Sequence, residues 1–183
     1  MLNSCLDEHI ILAEKMRNIL PEIQNAANLS ITALNNGKKI LLCGNGGSAA
    51  DAQHIAAELS GRFQRDRQAL SAISLTTDTS ALTAIANDYG FDYIFSRQVD
   101  ALAVDGDILI AISTSGNSKN TINAIYNAKQ KGCKIITLTG KDGGHMCSMG
   151  DTNIIIPSNV TARIQEMHIM SGHMICAIID NNF

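Results

Sequence analysis

The feature that most constrains this chain is a recurring order: a short apolar run, a turn-rich polar loop, then a helix-forming stretch. Lys38 to Cys43 (KKILLC) reads as a buried strand and runs at once into the glycine loop Gly44 to Ser48. Ala49 to Leu59, rich in Ala, Leu and Glu, reads as helix. The order returns with a strand at Ala72 to Leu75 and helical pieces at Thr79 to Ala86 and Phe95 to Val104. Asp107 to Ile112 (DILIAI) is a strand ending in the polar loop Ser113 to Ser118, with a helix following through Lys131. Cys133 to Leu138 and Asn153 to Ile156 complete the strands, with a glycine-rich loop at Gly140 to Gly144 and a stop at Pro157. A last helix runs from about Thr161 to Ile179. Upstream, Leu6 to Asn35 is helical in spacing, with Pro21 expected to separate two helices and Gly37 to end the second. Buried strands alternating with helices predict an α/β fold: a five-stranded parallel sheet with helices on both faces, an N-terminal helical extension and a long C-terminal helix.

At 183 residues without linker or repeat, the chain suits one domain, residues 1–36 supplying the first helices and 37–183 the α/β core. A net charge of −3 argues against nucleic-acid and anionic-membrane partners. Met1 to Leu20 carries Asp7, Glu8, Glu14, Lys15 and Arg17, which is not the pattern of a signal peptide. His168 and His173 break the apolar C-terminal stretch, which is too short to span a bilayer. The five cysteines, an odd number without a CxxC pair, suggest neither a disulfide framework nor a thiolate zinc site, and a reducing cytoplasm fits best. Apolar surface is abundant at both ends: Leu6, Ile10, Ile11, Ile19, Leu20 and Ile23 in the first segment, and most of the circumference of the last helix. One small sheet cannot cover all of it, so self-association is expected.

Ligands of open parallel sheets bind beyond the carboxyl ends of the strands, where the two most polar loops fall. Ser113-Thr114-Ser115-Gly116-Asn117-Ser118 places four hydroxyls between a strand and a helix, an anion site that needs no Lys or Arg. Helix capping by Ser115 or Ser118 is the simpler reading, but one hydroxyl suffices for a cap. Gly44-Asn45-Gly46-Gly47-Ser48-Ala49 matches the loose dinucleotide fingerprint. Two features oppose a nicotinamide cofactor: the second strand is followed by Thr76 and Thr77 before Asp78, and the next helix opens on a polar run of Asp51, Gln53 and His54. A tight glycine turn without ligand is the remaining alternative.

His54 and Glu58 stand at i and i+4 and share a helix face, compatible with a plain surface hydrogen bond or with a site beside the glycine loop. On the last helix Gln165, Glu166, His168 and His173 interrupt an apolar surface. At roughly 100° per residue, Glu166 falls within about 20° of His173 and Gln165 about 80° away, so periodicity alone pairs Glu166 with His173.

Taken together, GNGGSAADAQHIAAELSGRF, TTDTSALTAIANDYGF, FSRQV, ISTSGNS, TLTG and TARIQEMHI resemble the phosphoheptose isomerases of the sugar-isomerase (SIS) superfamily. The resemblance runs from Gly44 into the C-terminal helix and implies a flavodoxin-like SIS domain. It implies an aldose–ketose isomerase taking sedoheptulose 7-phosphate to D-glycero-D-manno-heptose 7-phosphate through an enediol. That step opens ADP- and GDP-heptose synthesis for lipopolysaccharide or capsule. It implies Glu58 as base and His173 as acid, with Zn2+, one per subunit, held by His54, Glu58, Gln165 and His173. Glu166 is then left as a structural acid paired to Arg163. Substrate contacts fall by the same resemblance on Asn45, Gly46, Gly47, Ser48, Glu58, Asn87, Asp88, Ser113, Thr114, Ser115, Ser118 and Gln165, although Asp88 reads equally well as a turn residue. The implied assembly is a homotetramer with sites at subunit interfaces, His54 and Glu58 of one chain meeting the last helix of another. A non-catalytic branch of the superfamily that binds the replication initiator is the alternative; the presence of both Glu58 and His173 speaks against it.

Overall fold

The computed structural model describes residues 1–183. Helices α1 (Leu2–Lys15) and α2 (Leu20–Asn35) lead into β1 (Ile40–Gly44) and α3 (Gly47–Ser60). Next come β2 (Ala72–Ser74), α4 (Thr79–Tyr89), α5 (Ser96–Leu102), β3 (Ile108–Ser113) and α6 (Lys119–Gln130). The chain ends with β4 (Lys134–Gly140), β5 (Thr152–Ile156) and α7 (Thr161–Asp180). Every expected element is present. The first helical break differs in place: a short 3₁₀ turn, Met16–Ile19, separates α1 from α2, while Pro21 lies in the first turn of α2. Proline fits there because the first helical N–H groups have no partner in any case.

The five strands form one parallel sheet in the order β2-β1-β3-β4-β5. Because successive side chains leave a strand on opposite faces, a strand buried on both must be apolar throughout. In β1, Ile40 and Leu42 enter the core made with α2, α3 and α7, whereas Leu41 and Cys43 enter the one made with α5 and α6. The same alternation divides Ile108, Ile110 and Ile112 from Leu109 and Ala111 in β3. Helix α4 contributes no buried residue and lies along the edge of the second core. No helix is long and apolar enough to cross a membrane.

The apolar circumference of α7 is largely consumed inside the chain: no residue from Arg163 to Asp180 is exposed. Helix α1 is different, with Leu6, Ile10 and Ile11 more than half exposed. Ile23, expected to belong to the same outward surface, instead turns into the core, and Ile19 is half-buried.

One polar group fixes α7 to the sheet. His168 is fully buried, and its Nε2–H donates to the Thr139 carbonyl on β4 at 3.0 Å. Burial pushes its pKa down from 6.5 to about 4, against a small opposing effect of the hydrogen bond. The neutral ring is therefore the folded form, and its stabilisation is complete above pH 6.5. As pH falls from 6.5 to about 4 the unfolded chain takes up a proton that the folded chain does not, and stability is lost. The expected loss from this group alone is about 3 kcal/mol, because each tenfold difference in proton affinity is worth about 1.4 kcal/mol. Urea titrations at pH 7 and pH 4.5 should show a smaller acid loss in His168→Gln than in the unaltered chain; an equal loss would contradict it.

Candidate active site

The strand order places a topological switch between β1 and β3, whose following helices α3 and α6 leave on opposite faces of the sheet. A crevice opens at such a point beyond the carboxyl ends of the strands. The loop Gly44–Ser48 after β1 and the loop Ser113–Ser118 after β3 are its two lips. They are tied by a reciprocal amide pair: Asn45 Nδ2 donates to Asn120 Oδ1 at 2.9 Å, and Asn120 Nδ2 returns a bond to Asn45 Oδ1 at 2.8 Å. Asn120, in the first turn of α6, is buried. The sequence gives little signal for it, since nothing local distinguishes it from an ordinary helix residue.

The serine loop does not cap its helix. Ser118 is the N-cap of α6, yet its side chain makes no capping bond. Its Oγ lies 2.9 Å from Ser113 Oγ, which also approaches Ser115 Oγ at 3.4 Å. Three hydroxyls thus converge beside the N-terminus of α6, where Thr121 N–H already donates to Asn120 Oδ1 at 2.9 Å and Ser118 caps neither of the N–H groups before that one, an arrangement that suits a phosphate. Capping, the simpler reading of these serines, is thereby set aside. Gly116 holds the turn with φ of +64°, and the segment after β4 closes on it. Met146 N–H donates to the Gly116 carbonyl at 3.0 Å and His145 N–H to Asn117 Oδ1 at 3.0 Å.

The second half of the site lies where α3 and α7 run side by side in the same direction. Gly47 faces Gln165 and Ile55 faces Gly172. Gly172 is needed: a Cβ there would lie 2.6 Å from Ile55 Cδ1. Flanking this contact, one residue before Ile55 and one after Gly172, His54 Nε2 and His173 Nε2 are 3.0 Å apart, and Glu58 Oε1 is 3.3 Å from His54 Nε2. The His54 ring meets His173 edge-on, while Phe63 stacks on His173 with centroids 5.5 Å apart and planes 24° apart. Two imidazole nitrogens and a carboxylate oxygen lie within 4.8 Å of one another. Ligands at zinc–nitrogen distances of 2.0–2.1 Å and a tetrahedral angle stand about 3.4 Å apart, so the separations and donor set suit a metal ion.

All three groups come from one chain, whereas the resemblance implied that His54 and Glu58 of one chain meet the last helix of another. Parallel packing of α3 on α7 is the physical reason. Gln165 also faces α3, but its amide rests on Gly47, about two turns before His54. Glu166 does not approach His173. It pairs with Arg163 and accepts from His9 Nδ1 at 2.8 Å, joining α7 to α1. Arg163 also donates to the Cys5 carbonyl at 2.8 Å. Asn87 and Asp88 sit at the exposed end of α4, bonded to each other at 2.8 Å. Neither has a bond to the two loops or to the histidine cluster.

Asp51 was legible only as part of a polar run. It stands one turn before His54 on α3, with Oδ2 buried and unpartnered, and burial raises its pKa to about 6, with His54 opposing. Its spacing of three residues from His54 and seven from Glu58 is a signal that could have placed it on the same face.

Residues 9–140 match the SIS domain family. The chain is 59% identical over 170 residues to a phosphoheptose isomerase of Aliarcobacter butzleri, covering 93% of this chain and 90% of the relative. It is 54% identical over 183 residues to the phosphoheptose isomerase of Campylobacter concisus, covering 97% of that protein. Among solved structures, a phosphoheptose isomerase from Neisseria gonorrhoeae superposes with a TM-score of 0.93 at 48% identity, covering 98% of this chain and 97% of that one. One from Francisella tularensis gives 0.95 at 40% identity, with coverage of 98% and 96%.

The amide pair between the loops yields a direct expectation. Asn120→Ala leaves Asn45 without either bond and frees the glycine loop from the serine loop. Binding of inorganic phosphate, followed by calorimetry, should weaken by roughly tenfold, the effect of about 1–3 kcal/mol for a buried polar group left unmatched. Unchanged phosphate binding would separate the amide pair from the anion site. A glycine-and-serine crevice at the sheet's switch point, a His-Glu-His cluster beside it, and likeness over nearly the whole chain converge: the chain belongs to the phosphoheptose isomerases of the SIS family.

Proposed function

We propose that the chain converts sedoheptulose 7-phosphate into D-glycero-D-manno-heptose 7-phosphate. The observation that carries this reading is the meeting of Glu58 and His173 on His54 within one chain that also carries a loop of serine hydroxyls bonded mainly to one another. The phosphate lies on Ser113, Thr114, Ser115 and Ser118 at the start of α6, and Asn45, Gly46, Gly47 and Ser48 line the other lip. Asn87, Asp88 and Gln165 complete the sugar contacts.

The Glu58 carboxylate removes the proton from carbon 1 of the ketose. The C–H electrons form a carbon 1–carbon 2 double bond as the carbonyl electrons move to oxygen 2, which takes a proton from His173. His173 then accepts the proton of oxygen 1, the new carbonyl forms at carbon 1, and Glu58 returns its proton to carbon 2. General acid–base groups of this kind contribute about 10²–10⁴ each. His54, Glu58 and His173 would hold one zinc ion per subunit, with Gln165 as a fourth ligand only once its amide leaves Gly47, and the ion when bound supplies Lewis-acid stabilisation of negative charge on the sugar oxygens. Glu58 so engaged is a weaker base, a tension that the side chain resolves only if it does not serve both roles at once. The initiator-binding alternative lacks a need for this acid–base pair.

The whole chain is read as one SIS domain that works in the cytoplasm as a homotetramer. The exposed Leu6, Ile10 and Ile11 face of α1 supports self-association, as do Tyr89, Phe91 and Tyr93, about half exposed beside α4. Since Asn87 and Asp88 lie at that surface, a neighbouring subunit would bring them to the site, which keeps the sites at subunit boundaries although the His-Glu-His cluster is internal.

Incubation with sedoheptulose 7-phosphate alone should yield an aldose phosphate, and a chelator should suppress it. Glu58→Gln and His173→Asn should each lower kcat by at least roughly 100-fold, with bound zinc measured in every variant. Near-normal turnover in either would remove that residue from the mechanism. Because both groups belong to one chain, mixing the two inactive variants under subunit exchange should restore no activity; recovery would place them in different chains.

A further inference from the structure

A second layer of side chains stands behind the His-Glu-His cluster. Arg67, in the irregular segment between α3 and β2, and Asp180, the last residue of α7, form an ion pair with side chains only 2% and 3% exposed. Arg67 Nε donates to Asp180 Oδ1 at 2.7 Å. Its Nη2 donates to the Glu58 carbonyl at 2.9 Å, and Nη1 to those of Leu59 at 3.0 Å and Gln68 at 2.9 Å. The other oxygen of Asp180 accepts the backbone N–H groups of Gln64 at 2.8 Å and Arg65 at 3.0 Å.

The pair thus binds three structures into one. The final carbonyls of α3 have no helical partner, and a cation at a helix C-terminus is favourably placed. Arg67 satisfies two of them, one belonging to Glu58 itself. Asp180 anchors that helix end to the end of α7 and catches the segment immediately after Phe63. Phe63 in turn lies face to face with the His173 imidazole, whose other neighbour is the His54 ring. The backbone of Glu58 and the ring plane of His173 are therefore set by one buried fork of hydrogen bonds.

We propose that Arg67, Asp180 and Phe63 are positioning residues for the isomerase site: the ion pair fixes the end of α3 and holds Phe63 as a platform that orients His173 toward Glu58 and His54. This role rests on the cluster being the isomerase site proposed for it. A lysine cannot stand in for Arg67, because a single ammonium lacks the planar fork that reaches the carboxylate and the carbonyls together. A buried pair used only for stability would alter unfolding and leave the folded site as it was.

The test compares Phe63→Leu, Phe63→Tyr and Arg67→Lys, each assayed well below its own unfolding temperature as verified by circular dichroism. Zinc affinity of the metal-free protein is read by competition with a chromophoric chelator, using Zn2+ alone. Then kcat and KM are read with sedoheptulose 7-phosphate. Groups that orient metal ligands typically change affinity or activity by about 10–100-fold. Phe63→Leu should weaken zinc by about tenfold or more and lower kcat with KM changed less than about twofold, since the serine loop is untouched. Phe63→Tyr, keeping the ring, should restore both; Arg67→Lys should behave as Phe63→Leu. Folded Phe63→Leu and Arg67→Lys with wild-type zinc affinity and kcat would overturn the positioning role. An unaltered chain that neither binds zinc nor isomerises the sugar would instead overturn the underlying reading of the site, and the two failures are told apart by the wild-type measurement.

Discussion

The parallel contact of α3 with α7 is the interaction on which the rest of the site depends. It is governed by a close approach: Gly172 lies where a side chain would strike the buried Ile55, and the end of the Gln165 side chain fills the space beside Gly47. Gly172 therefore sets the interhelical distance at the level of the histidines. His54 and His173 flank the first of these contacts, so their ring nitrogens meet. Packing is the cause here, since neither histidine is buried enough for burial alone to dictate its place. Helix α7 can accept so close a neighbour because it is also wedged against α2 and the sheet, where Ile164, Met167, Ile175 and Ile179 are wholly or nearly wholly buried.

A parallel sheet supplies the other constraint. With strands β1 and β3 adjacent and their helices on opposite faces, the backbone groups at the strand ends point into a shared crevice without a strand to pair with. The chain answers with side chains that carry no net charge. The Asn45–Asn120 pair closes one side, and three serine hydroxyls that bond mainly to one another occupy the other. Hydroxyls that satisfy each other weakly can exchange those bonds for stronger ones to an anionic oxygen. A site built from dipoles and hydroxyls binds a phosphate without the long cationic side chains that would lose rotamer freedom on doing so.

Charge is used elsewhere, and for holding helices. Arg67 with Asp180 and Lys39 with Asp107 each join an element end to a neighbour, while Arg163 and Glu166 pair within α7 and reach α1 through the Cys5 carbonyl and His9. Asp107 receives Lys39 Nζ at 2.5 Å and the backbone N–H groups of Lys39 and Val104, so its buried carboxylate is satisfied on all sides. Such pairs are retained only where hydrogen bonds offset desolvation. Glu22 and Asp51 each keep one buried carboxylate oxygen without a partner, and for Asp51, beside the histidine cluster, burial raises the pKa to about 6 against the opposing effect of His54.

The order of strands and helices was open to reading in the sequence because its cause is local: apolar runs of five or six residues, glycines after them, and helix-forming stretches between. The two ligand loops were legible for the same reason, since turn chemistry and hydroxyl density are properties of a few adjacent residues. The composite motif from Gly44 to the last helix also carried the family and, with it, the pairing of His54 and Glu58 with His173. What periodicity said about α7 was misleading: it put Glu166 with His173, whereas the fold gives Glu166 to Arg163 and His9. A helical wheel measures angle and ignores which neighbour stands at each level along the axis. Asn120, Arg67 and Asp180 gave little signal, and Phe63 none beyond closing the first motif, because each acts on a group distant in sequence or on a bare carbonyl. That His54, Glu58 and His173 close within one chain was likewise decided by tertiary structure alone, through the distance at which Gly172 lets α7 pack on Ile55 of α3.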